Sequence, residues 1–116
     1  MVEIYGIKNC STVRKTLTWL DDNKIVYNFH DFKKEGLNEE KVDEWINKKD
    51  WQTIINRKGH TWRKLDENSR ERINDNNSAA KIAVTNPSIV KRPIIEFKKN
   101  LLVGFDEDLL KKTFLK

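Results

Sequence analysis

Cysteine is almost absent from this chain of 116 residues, since Cys10 is the only one. A single thiol excludes an intramolecular disulfide, and it excludes a metal site made of cysteines alone. The two histidines, His30 and His60, do not complete a ligand set with Cys10, because the nearby carboxylates lack the spacing of metal ligands. We therefore expect neither a metal site nor a bound cofactor.

Long apolar runs are also missing. No run approaches the ~18 residues of a membrane-spanning helix, and residues 1–10 lack the pattern of a signal peptide. We expect a cytoplasmic protein that makes no contact with a membrane. With four glycines, two prolines, no repeat and no low-complexity linker, the chain is expected to form a single domain over residues 1–116.

Neither sign of charge forms a block along the chain. There are 23 Lys and Arg residues against 18 Asp and Glu residues, which gives a net charge of +5. The two signs alternate, as in residues 31–35 and 39–41, which is typical of an ordinary solvated surface. A modest positive excess would suit an anionic ligand or an acidic partner. The aromatic residues are not spaced among the basic ones as in a base-stacking surface, so we do not expect a nucleic-acid partner.

Hydrophobic periodicity predicts the order β-α-β, then a helical insertion, then β-β-α. The strands are predicted at residues 2–7, 26–32, 93–97 and 101–105. Helices are expected at residues 12–22, from residue 37, at 51–55, at 78–84 and after Asp106, with a loop at 57–61 and with Leu109 on the buried side of the last helix. A βαβ unit implies parallel strands, and the last two strands form a hairpin. This is an α/β, thioredoxin-like fold with the insertion at about residues 36–90.

Cys10 lies between the first predicted strand and the first predicted helix. The unpaired amides and the helix dipole at that position favour an anion, so they lower the pKa of a thiol and make it a better nucleophile. Lys8 and Arg14 would add positive charge. A lone cysteine is otherwise commonly a small buried residue, but the polar neighbours here favour the nucleophile.

The residue three positions after Cys10 is Val13, so a Cys-x-x-Cys pair is absent. Chemistry in which the protein closes its own disulfide is therefore excluded. What remains is monothiol chemistry, in which an external thiol must resolve the adduct formed on Cys10.

Arg92 and Pro93 precede the third predicted strand, whose start should lie beside the N-terminus of the first helix. A proline at the first position of a strand removes no ladder hydrogen bond. Arg92 could then present its planar guanidinium to a carboxylate or oxyanion at the thiolate; the alternative is a surface arginine before an edge strand. Arg57 and Arg63 flank a second loop, and each is either a ligand for an anion or a solvated charge.

Three segments together resemble one known family: YGIKNCSTV at residues 5–13, NRKGHTWR at 56–63 and KRPII at 91–95. They are similar to the arsenate reductase-like (ArsC/Spx) family, and within it to the small YffB-type proteins. The resemblance spans essentially the whole chain and implies a thioredoxin-like fold with a helical insertion. It implies catalytic roles for Cys10 and Arg92, and it places in the substrate-binding part of the site Asn9, Ser11, Thr12, Arg14, Arg57 and Pro93.

The YffB-type branch implies a glutathione-dependent thiol reductase, with glutathione as co-substrate and with glutathione or glutaredoxin as partners. An arsenate reductase is less favoured, because those enzymes carry a further arginine near the last strand, where this chain has LVGF at residues 102–105. The Spx branch binds the alpha subunit of RNA polymerase and senses oxidation through a Cys-x-x-Cys pair. Val13 removes that switch, yet a polymerase adaptor remains the main alternative.

Overall fold

The structure is a computed structural model of the chain, and it describes residues 1–115. The chain forms two compact units. The first unit combines Met1–His30 with the chain from Arg92 onward, and the second is Asp31–Lys91. The helical insertion expected at about residues 36–90 falls within the second unit. The single domain over residues 1–116 stays a prediction.

The first unit is built on a four-stranded sheet in the order β2-β1-β3-β4. Strand β3 is antiparallel to both β1 and β4, with Ile94 opposite Tyr5 on one side and opposite Val103 on the other. Two predicted strand pairings are confirmed, since β2 lies beside β1 and the last two strands form a hairpin. The strands are β1 (Val2–Gly6), β2 (Tyr27–Asp31), β3 (Ile94–Phe97) and β4 (Asn100–Val103).

One face of this sheet carries the hydrophobic core of the first unit. Helices α1 (Ser11–Asp22) and α8 (Glu107–Phe114) supply Leu20 and Leu110 to that core. The sheet supplies alternate residues of its strands, as expected from the period of two, namely Val2, Ile4, Ile95 and Leu102.

The start of α1 approaches the end of β1 closely. Val13 is fully buried, and a Cβ built on Gly6 would lie 2.8 Å from its Cγ2 atom. Only glycine leaves room for this approach. The packing of Gly6 against Val13 therefore fixes where the turn between β1 and α1, which contains Cys10, can lie.

Three positions in or next to the sheet and its helices differ from the sequence expectation. Val26 was expected in the second strand but precedes it and is 71% exposed. Phe32, also expected in that strand, begins a helix because the Asp31 carboxylate accepts hydrogen bonds from the backbone N–H groups of the next turn. Leu109 was expected to be buried, but it is 40% exposed, whereas the neighbouring Leu110 is buried in the core.

The second unit consists of six helices and one 3-10 turn among its described residues. Helix α3 packs against α7, with Trp45 buried on the α3 side and the small residues Ala79, Ala80 and Ala83 on the α7 side, which lets the two helices approach closely. The elements are α2 (Phe32–Glu35), α3 (Glu39–Lys48), α4 (Trp51–Ile54), α5 (His60–Lys64), α6 (Glu67–Arg72), α7 (Asn76–Thr85) and the 3-10 turn Pro87–Ile89.

The helical insertion is confirmed, but its details differ from the expectation. Helix α5 begins at His60, inside the segment expected to be a loop, and α6 was not expected. Helix α7 begins before Ser78, because Asp75 and Ser78 form a reciprocal capping box at its start. Within residues 1–115 there is no helix with the length and apolar character needed to cross a membrane.

Candidate active site

Cys10 is the N-cap residue of α1, at the end of a tight turn that follows β1. Its backbone N–H donates to the carbonyl oxygen of Ile7 at 3.2 Å, and its own carbonyl oxygen accepts from the N–H of Arg14 at 3.0 Å. Its backbone is extended, and the side chain forms no conventional capping hydrogen bond. The half-buried thiol is therefore held where the first free amides of the helix begin.

The surroundings of Cys10 lower the pKa of its thiol. Burial alone would raise that pKa, but it is outweighed by the backbone N–H of Val13, the Arg92 side chain, the backbone N–H of Thr12 and the positive charge of Arg92. The first turn of α1 contains no acidic residue that would oppose this effect. The net result favours the thiolate, which is the form that attacks disulfides.

Arg92 reaches Cys10 from the segment that leads into β3. Its side chain is half-buried and hydrogen-bonds the sulfur of Cys10. The next residue, Pro93, is buried, and its carbonyl oxygen accepts from the N–H of Gly104 at 2.8 Å. The peptide bond between Arg92 and Pro93 is cis. The structure thus brings together the two residues that the sequence predicted to face each other.

The remaining candidates of the first unit, apart from Pro93, lie within four residues of Cys10 along the chain. Asn9 and Ser11 flank Cys10 with exposed side chains, and Arg14 is exposed on the first turn of α1. Thr12 is half-buried, and its carbonyl oxygen accepts from the hydroxyl of Thr16 at 2.9 Å. Their substrate-binding roles stay predictions, whereas the backbone of Thr12 acts directly on the thiol.

Arg57 belongs to the second unit, and it is exposed there. Its guanidinium carbon lies 5.4 Å from the centre of the Trp51 ring, which is a cation–π distance. Arg63 is also exposed, on α5. Hydrophobic periodicity does not predict the contact between Arg57 and Trp51, because this contact joins the start of α4 to the loop that follows α4. A role for Arg57 in binding an oxyanion stays a prediction.

A contact between Lys15 and Phe105 in the first unit was not predicted from the sequence. The Nζ atom of Lys15 lies 5.2 Å from the centre of the Phe105 ring. Phe105 follows Gly104, which has a φ of +80° and is hydrogen-bonded to Pro93. The segment after β4 lacks the further arginine of arsenate reductases. It holds instead an aromatic ring in contact with a lysine of α1.

His30 is a strand residue, as expected. Its Nε2 atom lies 2.7 Å from the Oε1 atom of Glu3, and its ring stacks on Tyr5 with the centroids 4.6 Å apart. In the part of the chain that the structure describes, no group of three or more His, Cys, Asp or Glu side chains is arranged to hold a metal ion.

Comparison with known proteins gives one family and several full-length relatives. A sequence model of the ArsC family matches residues 5–113. The solved structure of a protein named YFFB is 40% identical, covers 97% of each chain and has a TM-score of 0.93. The solution structure of an arsenate reductase (ArsC) related protein from Brucella melitensis is 44% identical, covers 97% of this chain and 93% of its own, and has a TM-score of 0.76.

A regulator is also among the relatives. The global transcriptional regulator Spx 1 of Oceanobacillus iheyensis is 28% identical over 114 residues, which are 97% of this chain and 86% of that protein. Together these matches confirm the resemblance seen in the sequence and the α/β, thioredoxin-like fold.

Proposed function

Because the chain belongs to the ArsC family, whose sequence model covers residues 5–113, we propose that it is a monothiol reductase that uses Cys10 as nucleophile and glutathione as reductant. The observation that carries this proposal is the lowered pKa of Cys10, which results from the amides at the start of α1 and from Arg92. A cysteine with a purely structural role does not need a half-buried arginine side chain hydrogen-bonded to its sulfur.

In the first step the thiolate of Cys10 attacks the glutathione sulfur of a mixed disulfide between glutathione and a substrate thiol. A bond forms between Cys10 and that sulfur, the substrate S–S bond breaks, and the substrate sulfur leaves as a thiolate that takes a proton from water. The substrate is reduced, and Cys10 carries the glutathione.

In the second step an external glutathione must resolve the adduct, because the chain has no second cysteine. A glutathione thiolate attacks the outer sulfur, oxidised glutathione leaves, and the thiolate of Cys10 is regenerated. Arg92 stabilises this leaving thiolate with its hydrogen bond and its charge. We assign to Arg92 the binding of a glutathione carboxylate.

The direct test is the intact mass of the protein after incubation with oxidised glutathione. We expect one glutathione moiety on the wild-type chain, none on Cys10→Ser, and slower formation on Arg92→Ala. Arg63→Ala is a matched control, since it removes an exposed arginine that lies in the other unit. Absence of a mixed disulfide on the wild-type chain would exclude the proposal.

A regulator of the Spx type is the second candidate, favoured by the match to Spx 1 over 97% of this chain. It would bind a protein such as RNA polymerase, with Cys10 as an incidental residue or a simple sensor. Direct binding between the purified chain and the polymerase alpha subunit tests this, with the chain reduced and with it treated with oxidised glutathione. No binding in either state removes this candidate.

Arsenate reduction is the third candidate, because one similar structure is that of an arsenate reductase (ArsC) related protein. After the last strand this chain has a contact between Lys15 and Phe105 in place of an arginine. An arginine there would bind an oxyanion better, so this difference argues against arsenate as substrate. Turnover of arsenate with glutathione and glutaredoxin, compared with Cys10→Ser, decides it: equal rates exclude an arsenate reductase.

A further inference from the structure

A groove in the second unit is lined by none of the residues proposed for thiol chemistry. It runs between α6 and α7, opens to solvent and has a volume of about 320 Å³. On α7 it is lined by Ser78, Lys81, Ile82 and Thr85, whose spacing places them along one stripe of the helix. The seven steps from Ser78 to Thr85, at a rise of ~1.5 Å each, make this stripe about 10 Å long, enough for about two turns of a helix lying along it.

The floor of the groove is apolar, and its hydroxyl groups are already engaged. Ile73 is 6% exposed, and it lines the groove together with Ile82. The hydroxyl of Ser78 donates to Asp75 in the capping box, and the hydroxyl of Thr85 donates to carbonyl oxygens of its own helix. The groove therefore offers apolar contact and few free hydrogen-bond donors other than its charged groups.

Both charged side chains that line the groove are cations. Arg72 ends α6 and Lys81 lies in the middle of α7. Asp66 and Asp75, the carboxylates on which these cations act, are helix caps that accept backbone N–H groups at 2.7 and 2.8 Å. The positive charges of Arg72 and Lys81 add to these hydrogen bonds in lowering the pKa of the two carboxyls. Neither cation forms an ion pair within the described residues, so both are available to an anionic partner.

We propose that this groove binds an amphipathic acidic segment of a partner protein, with apolar side chains on Ile73 and Ile82 and with carboxylates at Arg72 and Lys81. An apolar floor between two cations matches such a segment in both shape and charge. Phosphate polymers would satisfy the cations but leave the floor exposed. The proposal concerns a binding site distinct from Cys10, and it does not depend on the thiol chemistry.

The test uses the full chain, labelled for NMR, and a synthetic peptide with the repeat Glu-Leu-Leu-Glu. We expect the amide signals of the groove residues to shift and those around Cys10 to stay in place. The double variant Arg72→Glu/Lys81→Glu should bind at least about tenfold more weakly, because attraction becomes repulsion. The control Lys49→Glu/Lys64→Glu changes two exposed lysines of the same unit outside the groove and should bind like wild type.

Two further measurements keep the result interpretable. The double variant Arg72→Gln/Lys81→Gln removes the two positive charges without introducing negative ones. Circular dichroism shows whether each variant is folded. A peptide with Ser for Leu tests the floor, and one with Lys for Glu tests the charge; both should lose binding. Equal binding of either peptide, equal binding by the Glu double variant, or shifts confined to other surfaces would overturn the proposal.

Discussion

The side chain of Arg92 hydrogen-bonds the sulfur of Cys10, although the two residues lie near opposite ends of the chain. The sheet explains this meeting. Strand β3 is antiparallel to β1, so the start of β3 lies at the same edge as the end of β1. The cation is thereby delivered to the helix start that already favours a thiolate.

Replacing Arg92 with Ala should raise the pKa of Cys10 towards its ordinary value, because a hydrogen bond and a positive charge at the sulfur are lost. Less thiolate is then present at neutral pH, and alkylation by iodoacetamide becomes slower there. Rates measured across pH 4 to 10 give the midpoint directly, on the order of 8.5 for an unperturbed thiol. Above that midpoint the wild-type and variant rates should converge.

Arg14→Ala is the matched control for this experiment. Arg14 lies on the same turn of α1, but its charge is not among the causes of the lowered pKa. Its removal should leave the midpoint in place. A midpoint near the ordinary value in wild type, unchanged by Arg92→Ala, would mean an unperturbed cysteine and would favour the regulator over the reductase.

Gly6→Ala should destabilise the first unit and also disturb the thiol. The new methyl group would lie 2.8 Å from Val13 Cγ2, and overpacking of this kind costs about 1–3 kcal/mol of the free energy of unfolding. Movement of the helix start would also weaken the amide contacts to Cys10 and raise its pKa. Urea denaturation and the alkylation profile measure the two effects.

The double variant Gly6→Ala/Val13→Ala isolates the clash. Val13→Ala removes the methyl groups that the new Cβ would meet, at the cost of a cavity. The two changes should therefore be less destabilising together than the sum of the single effects. If the two effects on the free energy of unfolding were strictly additive, the cost of Gly6→Ala would not arise from a clash with Val13.

The helix caps show how far the sequence could predict this fold. Helices were expected at residues 51–55 and after Asp106, and both are present. The carboxylates of Asp50 and Asp106 begin them by accepting from Thr53 N–H at 2.7 Å and Leu109 N–H at 3.1 Å. Helix α6 was missed because Glu67–Arg72 contains no apolar residue, so no period marks it. Its first turn is organised by the cap Asp66, a short signal that periodicity does not detect.

The site was predictable to the extent that strand order determines it. The pairing of Cys10 with Arg92 follows from a helix start and a strand start at one edge of a sheet. The contacts of Lys15 with Phe105 and of Arg57 with Trp51 do not follow, because each depends on how a loop places a side chain. Neither loop carries a spacing pattern that specifies such a contact.

Glu3 should make the stability of the first unit depend on pH. A hydrogen bond to His30, followed by one to Asn28, lowers the pKa of this carboxyl. A lowered pKa stabilises the fold above the unfolded value, and that contribution is lost as the pH falls through the folded value. Glu3→Gln should therefore reduce the free energy of unfolding at pH 7 by less than about 1 kcal/mol, since the pair is partly solvated.

At low pH the Glu3→Gln variant and wild type should become equal in stability, because Glu3 is then protonated in both the folded and the unfolded states. Chemical denaturation at several pH values tests this. Glu44→Gln is the control, since Glu44 forms an exposed ion pair with Lys41 at 3.4 Å and is 60% exposed. A gap between Glu3→Gln and wild type that grows towards low pH would contradict the assignment.

Val13→Cys should convert the monothiol site into a dithiol site. Residue 13 is three positions after the N-cap, and its backbone N–H already points at the sulfur of Cys10. A thiol introduced there lies within reach of Cys10 on the first turn of the helix. We expect the variant to displace glutathione from the mixed disulfide and close an intramolecular disulfide, whereas wild type retains the adduct until an external thiol arrives.

Mass measurement after alkylation distinguishes the two outcomes, because the closed disulfide takes up neither glutathione nor the alkylating agent. Val13→Ser provides the matched control, with a residue of similar size and no thiol, and it should keep the glutathione adduct. A stable adduct on Val13→Cys would show that the buried side of α1 does not open far enough for a second sulfur to attack. In that case Val13 is held by its packing against Gly6 too firmly for the helix start to act as a dithiol switch.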